Sequence, residues 1–121
     1  MDKIAETSLL YDFYGQLLTE KQRQVMSLYH EENLTLSEIA DEFGISRQAV
    51  HDTLKKAEQS LSEYERKLGL VEKFVRSSQA LEEIETEIDA VTEAVRKQSG
   101  SPVLLERLQH IKRIIAGLEE E

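Results

Sequence analysis

A short stretch of the sequence places polar and basic side chains at spacings that suit contact with nucleic acid. Arginine matches the hydrogen-bonding edge of guanine and glutamine that of adenine, whereas lysine suits phosphate oxygens. If the stretch is a helix, these side chains lie near its start and on its open face. The candidate nucleic-acid-binding residues are Ser46, Arg47, Gln48, His51, Lys55 and Lys56.

No other group of residues suggests catalysis or metal binding. Cysteine is absent, which removes disulfides, thiol catalysis and cysteine-based zinc sites. His30, His51 and His110 are far apart and share no ligand spacing. The carboxylates of residues 82–89 are typical of the solvated face of a heptad helix, and the sequence has neither a glycine-rich phosphate loop nor a nucleophile with its base. We therefore predict a protein that is not an enzyme and needs no metal or cofactor.

Contact with a nucleic-acid groove requires a sharp corner between two packed helices. Thr35 and Glu38 have the spacing of a capping box that begins a short helix, and Ser46 can cap the next one. Small and apolar residues between and beyond them predict a helix-turn-helix, although a plain helical corner with a solvated polar face would share much of the pattern. The predicted core of the motif is Ile39, Ala40, Phe43, Gly44, Ile45, Val50 and Leu54.

The charge balance leaves the ligand of this motif open. The formal net charge is -9, and residues 1–46 contain three basic against nine acidic side chains. Such a surface repels phosphate at long range, so any affinity for nucleic acid must be local. Asp52, together with Glu38, Asp41 and Glu42, also opposes phosphate binding. An acidic adaptor that binds basic protein surfaces, such as targeting GTPases, is therefore the alternative to a protein that binds DNA or RNA.

The remaining apolar residues recur at helical spacing, so we predict an all-α fold. A first helix is expected over residues 5–17 and a second after a capping box at Thr19 and Gln22. A fourth helix should cover residues 47–68, with a stripe that includes Leu68, and end at Gly69. These elements predict a helix-turn-helix domain over residues 1–69.

Beyond Gly69 the apolar positions become heptads, which predicts a long helix and then a last helix that folds back as an antiparallel hairpin. The break is expected at residues 97–102, with Ser101 as cap and Pro102 as the first helical residue, and the tail of residues 119–121 should fray. Isoleucine and valine in both heptad classes favour a four-helix homodimer over packing of the hairpin against the N-terminal half of its own chain, so residues 70–121 are predicted to dimerise. The predicted hairpin and dimer residues are Phe74, Leu81, Ile84, Ile88, Val91, Val95, Leu104, Leu108, Ile111 and Ile115.

The stretch from Leu18 through the motif to Leu61 resembles region 4 of bacterial sigma factors, which recognises promoter DNA. More specifically, LLYDFYGQLLTEKQRQVMSLYHEENLTLSEIADEFGISRQAVHDTLKKAE is similar to the YlxM family. That resemblance implies a regulatory or accessory role in the signal recognition particle pathway, with components of the particle as partners. It supplies no catalytic residues. The acidic C-terminal part has no counterpart in sigma region 4.

The sequence lacks an apolar run long enough to span a bilayer and an N-terminal targeting pattern. We therefore expect a cytoplasmic protein without a membrane partner.

Overall fold

A computed structural model describes residues 2–98 and 100–119 of the chain. Every regular element within those residues is helical, which confirms the all-α class. The chain divides into two compact units, Met1–Val71 and Glu72–Glu121. The α-helices of the described residues are α1 (Lys3–Tyr14), α2 (Glu20–Met26), α3 (Leu36–Phe43), α4 (Arg47–Leu68), α5 (Leu70–Lys97) and α6 (Pro102–Glu119).

The first helix begins and ends earlier than the predicted residues 5–17. The carboxylate of Asp2 accepts a hydrogen bond from the backbone N–H of Ala5 at 2.7 Å and caps the helix. At the other end, α1 stops at Tyr14, and Gly15–Leu17 form a tighter 3-10 turn. The predicted boundaries are therefore wrong at both ends, because the cap and the tight turn each move the helix toward the N-terminus.

The second helix starts where predicted but ends in a way the sequence did not indicate. Thr19 Oγ1 accepts from the N–H of Gln22 at 3.2 Å, and Gln22 Oε1 accepts from the N–H of Thr19 at 3.1 Å, so the predicted capping box is present. After α2 the backbone widens into a π turn over Ser27–Glu31. Asn33 then adopts a left-handed φ of 57°, which asparagine tolerates better than most residues, and helical geometry ends.

The core of the first unit forms around α4, which packs against α1, α2 and α3. Its apolar stripe buries Val50, Leu54, Ala57 and Leu61, as helical spacing predicts. Leu68 was expected on the same stripe, but 55% of its surface is exposed because the stripe runs out at the end of the helix. The largest fully buried side chains of this unit are Tyr14, Val25, Met26, Ile39, Val50 and Leu61.

A hydrogen-bonded group around Tyr14 joins α1, the end of α4 and the start of α5. Tyr14 is 1% exposed; its hydroxyl donates to Glu65 Oε1 at 2.6 Å and accepts from the N–H of Leu70 at 3.1 Å. The same Glu65 oxygen accepts from the N–H of Val71 at 3.0 Å. Gly69, with a left-handed φ of 63°, separates the two helices and has no side chain to cap α5. Tyr14 and Glu65 therefore accept hydrogen bonds from the first two backbone N–H groups of α5, which have no acceptor within the helix.

In the second unit, α5 and α6 contact each other along one apolar side. Ile88, Thr92 and Ile115 are buried there, and Lys112 Nζ lies 2.9 Å from Asp89 Oδ1 at the edge. Among the predicted hairpin residues, Leu81, Val95 and Leu108 are partly buried. Five others are between 42% and 51% exposed within the single chain: Phe74, Ile84, Val91, Leu104 and Ile111.

The link between α5 and α6 is close to its predicted position. Ser101 Oγ accepts from the N–H of Leu104 at 3.4 Å, and Pro102 is the first residue of α6. Ser99 lies outside the described residues, as do Glu120 and Glu121 of the predicted frayed tail, whereas Glu119 is the last residue of α6. No helix in the described part of the chain is long and apolar enough to cross a membrane.

Candidate nucleic-acid interface

The corner between α3 and α4 depends on one left-handed glycine and two side-chain caps. Gly44 has φ 65° and ψ 35°, and its N–H donates to the carbonyl of Ala40. The N–H of Ile45 donates to the same carbonyl at 3.1 Å, and Ser46 Oγ accepts from the N–H of Ala49 at 3.0 Å to begin α4. These three backbone N–H groups are thus paired within the corner itself.

Packing holds the two helices of the corner together. Ile39 and Val50 are fully buried, and Ala40 and Leu54 nearly so; the small side chain of Ala40 allows close approach of the helices. Phe43 and Ile45 are partly buried at the edge, and Gly44 is exposed at the turn. The seven residues predicted as the core of the motif therefore fall at the corner, with Ile39, Ala40, Val50 and Leu54 buried in it.

The opposite side of α4 is open to solvent and polar. All six predicted contact residues are exposed. Because successive residues of an α-helix are rotated by about 100°, Arg47, His51 and Lys55 follow one another at intervals of four along one face. Gln48 lies beside Lys55, whereas Lys56 is rotated by about 100° from Lys55 around the helix. A nucleic-acid groove facing the first five residues would leave Lys56 at its margin.

Asp52 engages two of these side chains, an arrangement that the sequence reasoning did not anticipate. Gln48 Nε2 donates to Asp52 Oδ1 at 3.0 Å, and His51 Nδ1 lies 3.6 Å from the same oxygen. The i, i+4 spacing of Gln48 and Asp52 is the signal that could have revealed the first contact. In the free protein, the side-chain N–H group of Gln48 that would bind a base edge therefore donates to Asp52 instead.

The helix before the corner, α3, carries exposed acidic side chains. Glu38, Asp41 and Glu42 are exposed on α3. The N–H of Thr35 donates to Glu38 Oε1 at 3.0 Å, and this bond, with that to the Thr35 hydroxyl, lowers the pKa of Glu38. Glu38 is therefore ionised at neutral pH and opposes a phosphate approaching α3.

A tight corner at a left-handed glycine, packed on its inner side and polar on its outer side, defines a helix-turn-helix protein. The comparisons with known proteins agree with that class. The chain belongs to the UPF0122 family, whose model is described as "Putative helix-turn-helix protein, YlxM / p13 like" and matches residues 1–99.

Relatives from several bacteria resemble most of the chain. A UPF0122 protein of Desulforamulus reducens is 52% identical over 84 residues, which cover 69% of this chain and 72% of the relative. One from Halalkalibacterium halodurans is 45% identical over 111 residues, or 92% of this chain and 95% of the relative. One from a Thermoanaerobacter species is 42% identical over 111 residues, or 92% of both chains. The similarity to the last two relatives therefore extends well beyond the helix-turn-helix.

Proposed function

We propose that this protein is a cytoplasmic, non-enzymatic helix-turn-helix protein that binds DNA or RNA through α4. The observation that carries the proposal is the exposed set Ser46, Arg47, Gln48, His51 and Lys55 at the start of α4. Gln48 and Lys55 face away from the buried Val50 and Leu54, and Ser46 and Arg47 are exposed at the first turn of the helix. In this arrangement arginine and glutamine face outward for base edges, and lysine faces outward for phosphates.

The net charge of -9 gives this interface a selective character. Long-range attraction to phosphate is absent, so binding depends on close fit to the few polar groups of α4. Such a protein discriminates between ligands instead of coating nucleic acid without preference.

The proposed setting is the signal recognition particle pathway, in which the protein acts as a regulator or accessory factor. Support comes from the resemblance of residues 8–70 to the YlxM family and from the family description, which names YlxM. We further propose a sigma region 4-like arrangement for residues 1–69.

The second part of the proposal is a homodimer through residues 70–121. Contacts between Asp89 and Lys112, and between Glu85 and Glu119, support an antiparallel hairpin of α5 and α6. The exposed apolar residues of these helices support its association with a second copy.

Fluorescence anisotropy of the full chain would test nucleic-acid binding directly. The probes are the signal recognition particle RNA and a random DNA duplex, each at low and at physiological salt. If Arg47 contacts a base, Arg47→Ala should weaken binding by about 1 to 3 kcal/mol, and Lys55→Ala should reduce the salt slope by about one. Arg76→Ala and Lys73→Ala remove the same charges from α5 and serve as matched controls.

Binding to the RNA that survives physiological salt and depends on Arg47 would support both the interface and the pathway. Equal loss with Arg76→Ala would indicate a general charge effect and contradict the assigned interface. If neither probe binds, the nucleic-acid proposal fails. If binding to a protein partner is then lost when Glu38, Asp41 and Glu42 are neutralised together, the protein acts as the acidic adaptor instead.

A further inference from the structure

Asp52 lies on the outermost side of α4, although its charge opposes contact with phosphate. Gln48 stands two residues before the fully buried Val50, and Asp52 two residues after it. With a rotation of about 100° per residue, each side chain is about 160° from Val50 and only about 40° from the other. The side chain of Asp52 is 59% exposed. A groove that faces the outer side of α4 therefore meets Gln48 and Asp52 directly.

The hydrogen bond between these two side chains leaves acceptors on this part of the surface. A carboxylate can only accept, so the amide of Gln48 turns its NH2 group to Asp52, with Nε2 3.0 Å from Oδ1. His51 Nδ1 lies 3.6 Å from the same oxygen, which is too far for a hydrogen bond. Gln48 Oε1 and the remaining lone pairs of the Asp52 carboxylate can accept hydrogen bonds but cannot donate them.

The bases differ in what they offer to such acceptors in the major groove of B-form DNA. Cytosine N4 and adenine N6 carry donor amines there, whereas guanine and thymine present acceptor atoms. Adenine also sets its N7 acceptor beside N6, and the N–H group of Gln48 that would pair with N7 is held by Asp52. Cytosine is therefore the base that Gln48 and Asp52 fit best.

The shape of the groove favours double-stranded DNA over double-stranded RNA. An α-helix is about 10 to 12 Å wide with its side chains, and the major groove of B-form DNA is about 12 Å wide. The major groove of A-form RNA is too deep and narrow for side chains to read. A helix that presents base-reading side chains on its outer face therefore suits a DNA duplex.

We infer that α4 reads double-stranded DNA and that Asp52, held against Gln48, selects a cytosine at one position of the site. This inference rests on the nucleic-acid binding proposed above, and it names the class of ligand and a specificity-determining residue. Repulsion between the carboxylate and phosphates lowers affinity for every sequence, whereas a hydrogen bond from cytosine N4 raises it only for some. Asp52 therefore contributes selectivity at the expense of affinity.

Selection from random DNA duplexes would test the base preference. The full chain is mixed with short duplexes whose central positions are randomised, and the bound DNA is sequenced. The wild type should enrich a site with cytosine at one defined position. Because asparagine binds adenine through two hydrogen bonds, Asp52→Asn should move the preference at that position from cytosine to adenine. Asp41→Asn removes the same charge from an exposed residue of α3 and should leave the enriched site unchanged.

Anisotropy with two duplexes that differ only at this position gives the magnitude of the preference. Exchange of the C·G pair for G·C should weaken binding of the wild type by about fivefold to 150-fold, the usual cost of one mismatched pair. The difference should largely disappear in Asp52→Asn. Asp52→Ala should lose the preference without gaining one for adenine, so it tests the assignment independently. Circular dichroism establishes that each variant keeps its helices.

The outcomes separate this inference from the nucleic-acid proposal on which it rests. An enriched site without such a cytosine, or one that Asp52→Asn and Asp41→Asn change equally, would overturn the role of Asp52 and leave DNA binding standing. If no duplex is enriched but the signal recognition particle RNA binds in a manner that depends on Arg47, DNA is the wrong ligand and nucleic-acid binding stands. If neither DNA nor RNA binds, both proposals fail.

Discussion

Replacing Tyr14 with phenylalanine removes one hydroxyl from the core and two hydrogen bonds with it. The hydroxyl donates to Glu65 Oε1 at 2.6 Å and accepts from the N–H of Leu70 at 3.1 Å. After the change, the Leu70 N–H has lost its acceptor at the start of α5, and Glu65 keeps its bond from Val71. The ring remains, so no large cavity forms.

The expected loss of stability follows from these two bonds. A hydrogen bond to a charged group contributes about 1.5 to 3 kcal/mol and a neutral one about 0.5 to 1.5. Glu65 is only partly buried, so water can replace part of the lost bond. We therefore expect Tyr14→Phe to lower the free energy of unfolding by about 2 to 3 kcal/mol. For a unit of this size the midpoint temperature should fall by roughly 10 to 20 °C.

Urea and thermal unfolding followed by circular dichroism would measure this loss, with Tyr64→Phe as the matched control. The Tyr64 ring centroid lies 6.0 Å from that of Tyr14, but its hydroxyl makes a 3.4 Å bond to the carbonyl of Leu17 at an exposed site. Its removal should cost less than about 0.5 kcal/mol. Equal stability of the two variants would refute the assignment of a capping role to Tyr14.

The same change should alter stability at high pH. Burial, and next the hydrogen bond to Glu65, raise the pKa of Tyr14 above its ordinary value of 10.0. The folded state therefore retains this proton more strongly than the unfolded state, and the contribution is present below pH 10 and lost as pH rises through the folded pKa. Between pH 9 and 12 the wild type should lose more stability than Tyr14→Phe; parallel curves would contradict this account.

Three further substitutions test the corner. Asp52→Asn removes a negative charge and the carboxylate that holds Gln48, so affinity for the RNA probe should rise about twofold to fivefold at low salt by anisotropy; weaker binding would contradict the competing role of Asp52. Gly44→Ala should lower the free energy of unfolding by about 1 kcal/mol in urea, because alanine is strained at φ 65°, and an unchanged value would refute this. Glu38→Gln keeps the acceptor for the N–H of Thr35 but does not ionise. Since the pKa of Glu38 is lowered, its contribution is present above pH 4.5 and lost as pH falls through the folded pKa. The variant should lose less stability on acidification, and equal loss would refute the assignment.

Local features of this fold could be predicted from the sequence because their causes are local. The capping box at Thr19 and the left-handed glycine at Gly44 each follow from residues within a few positions, and both are present. The π turn over Ser27–Glu31 has no such signature. The hydrogen bond from Tyr14 to Glu65 joins residues 51 positions apart, and no periodicity could identify that pair.

The candidate interface shows the same division. Its six residues are exposed, and their polar character alone indicates this, whereas the hydrogen bond from Gln48 to Asp52 depends on side-chain conformation. The heptads of α5 indicated which residues are apolar. They could not indicate which class α6 would cover, because Ile84 and Ile88 are equally suited to either seam.

Gly69 separates two stretches that would otherwise form one helix. Residues 47–68 and 70–97 are both helical, and a continuous helix over residues 47–97 would be about 77 Å long at 1.5 Å per residue. One left-handed residue and the hydrogen bonds of Tyr14 and Glu65 therefore keep α4 and α5 as two separate helices. A residue at position 69 that favours right-handed helix would weaken this separation, so the identity of one residue decides whether residues 47–97 form two helices or one.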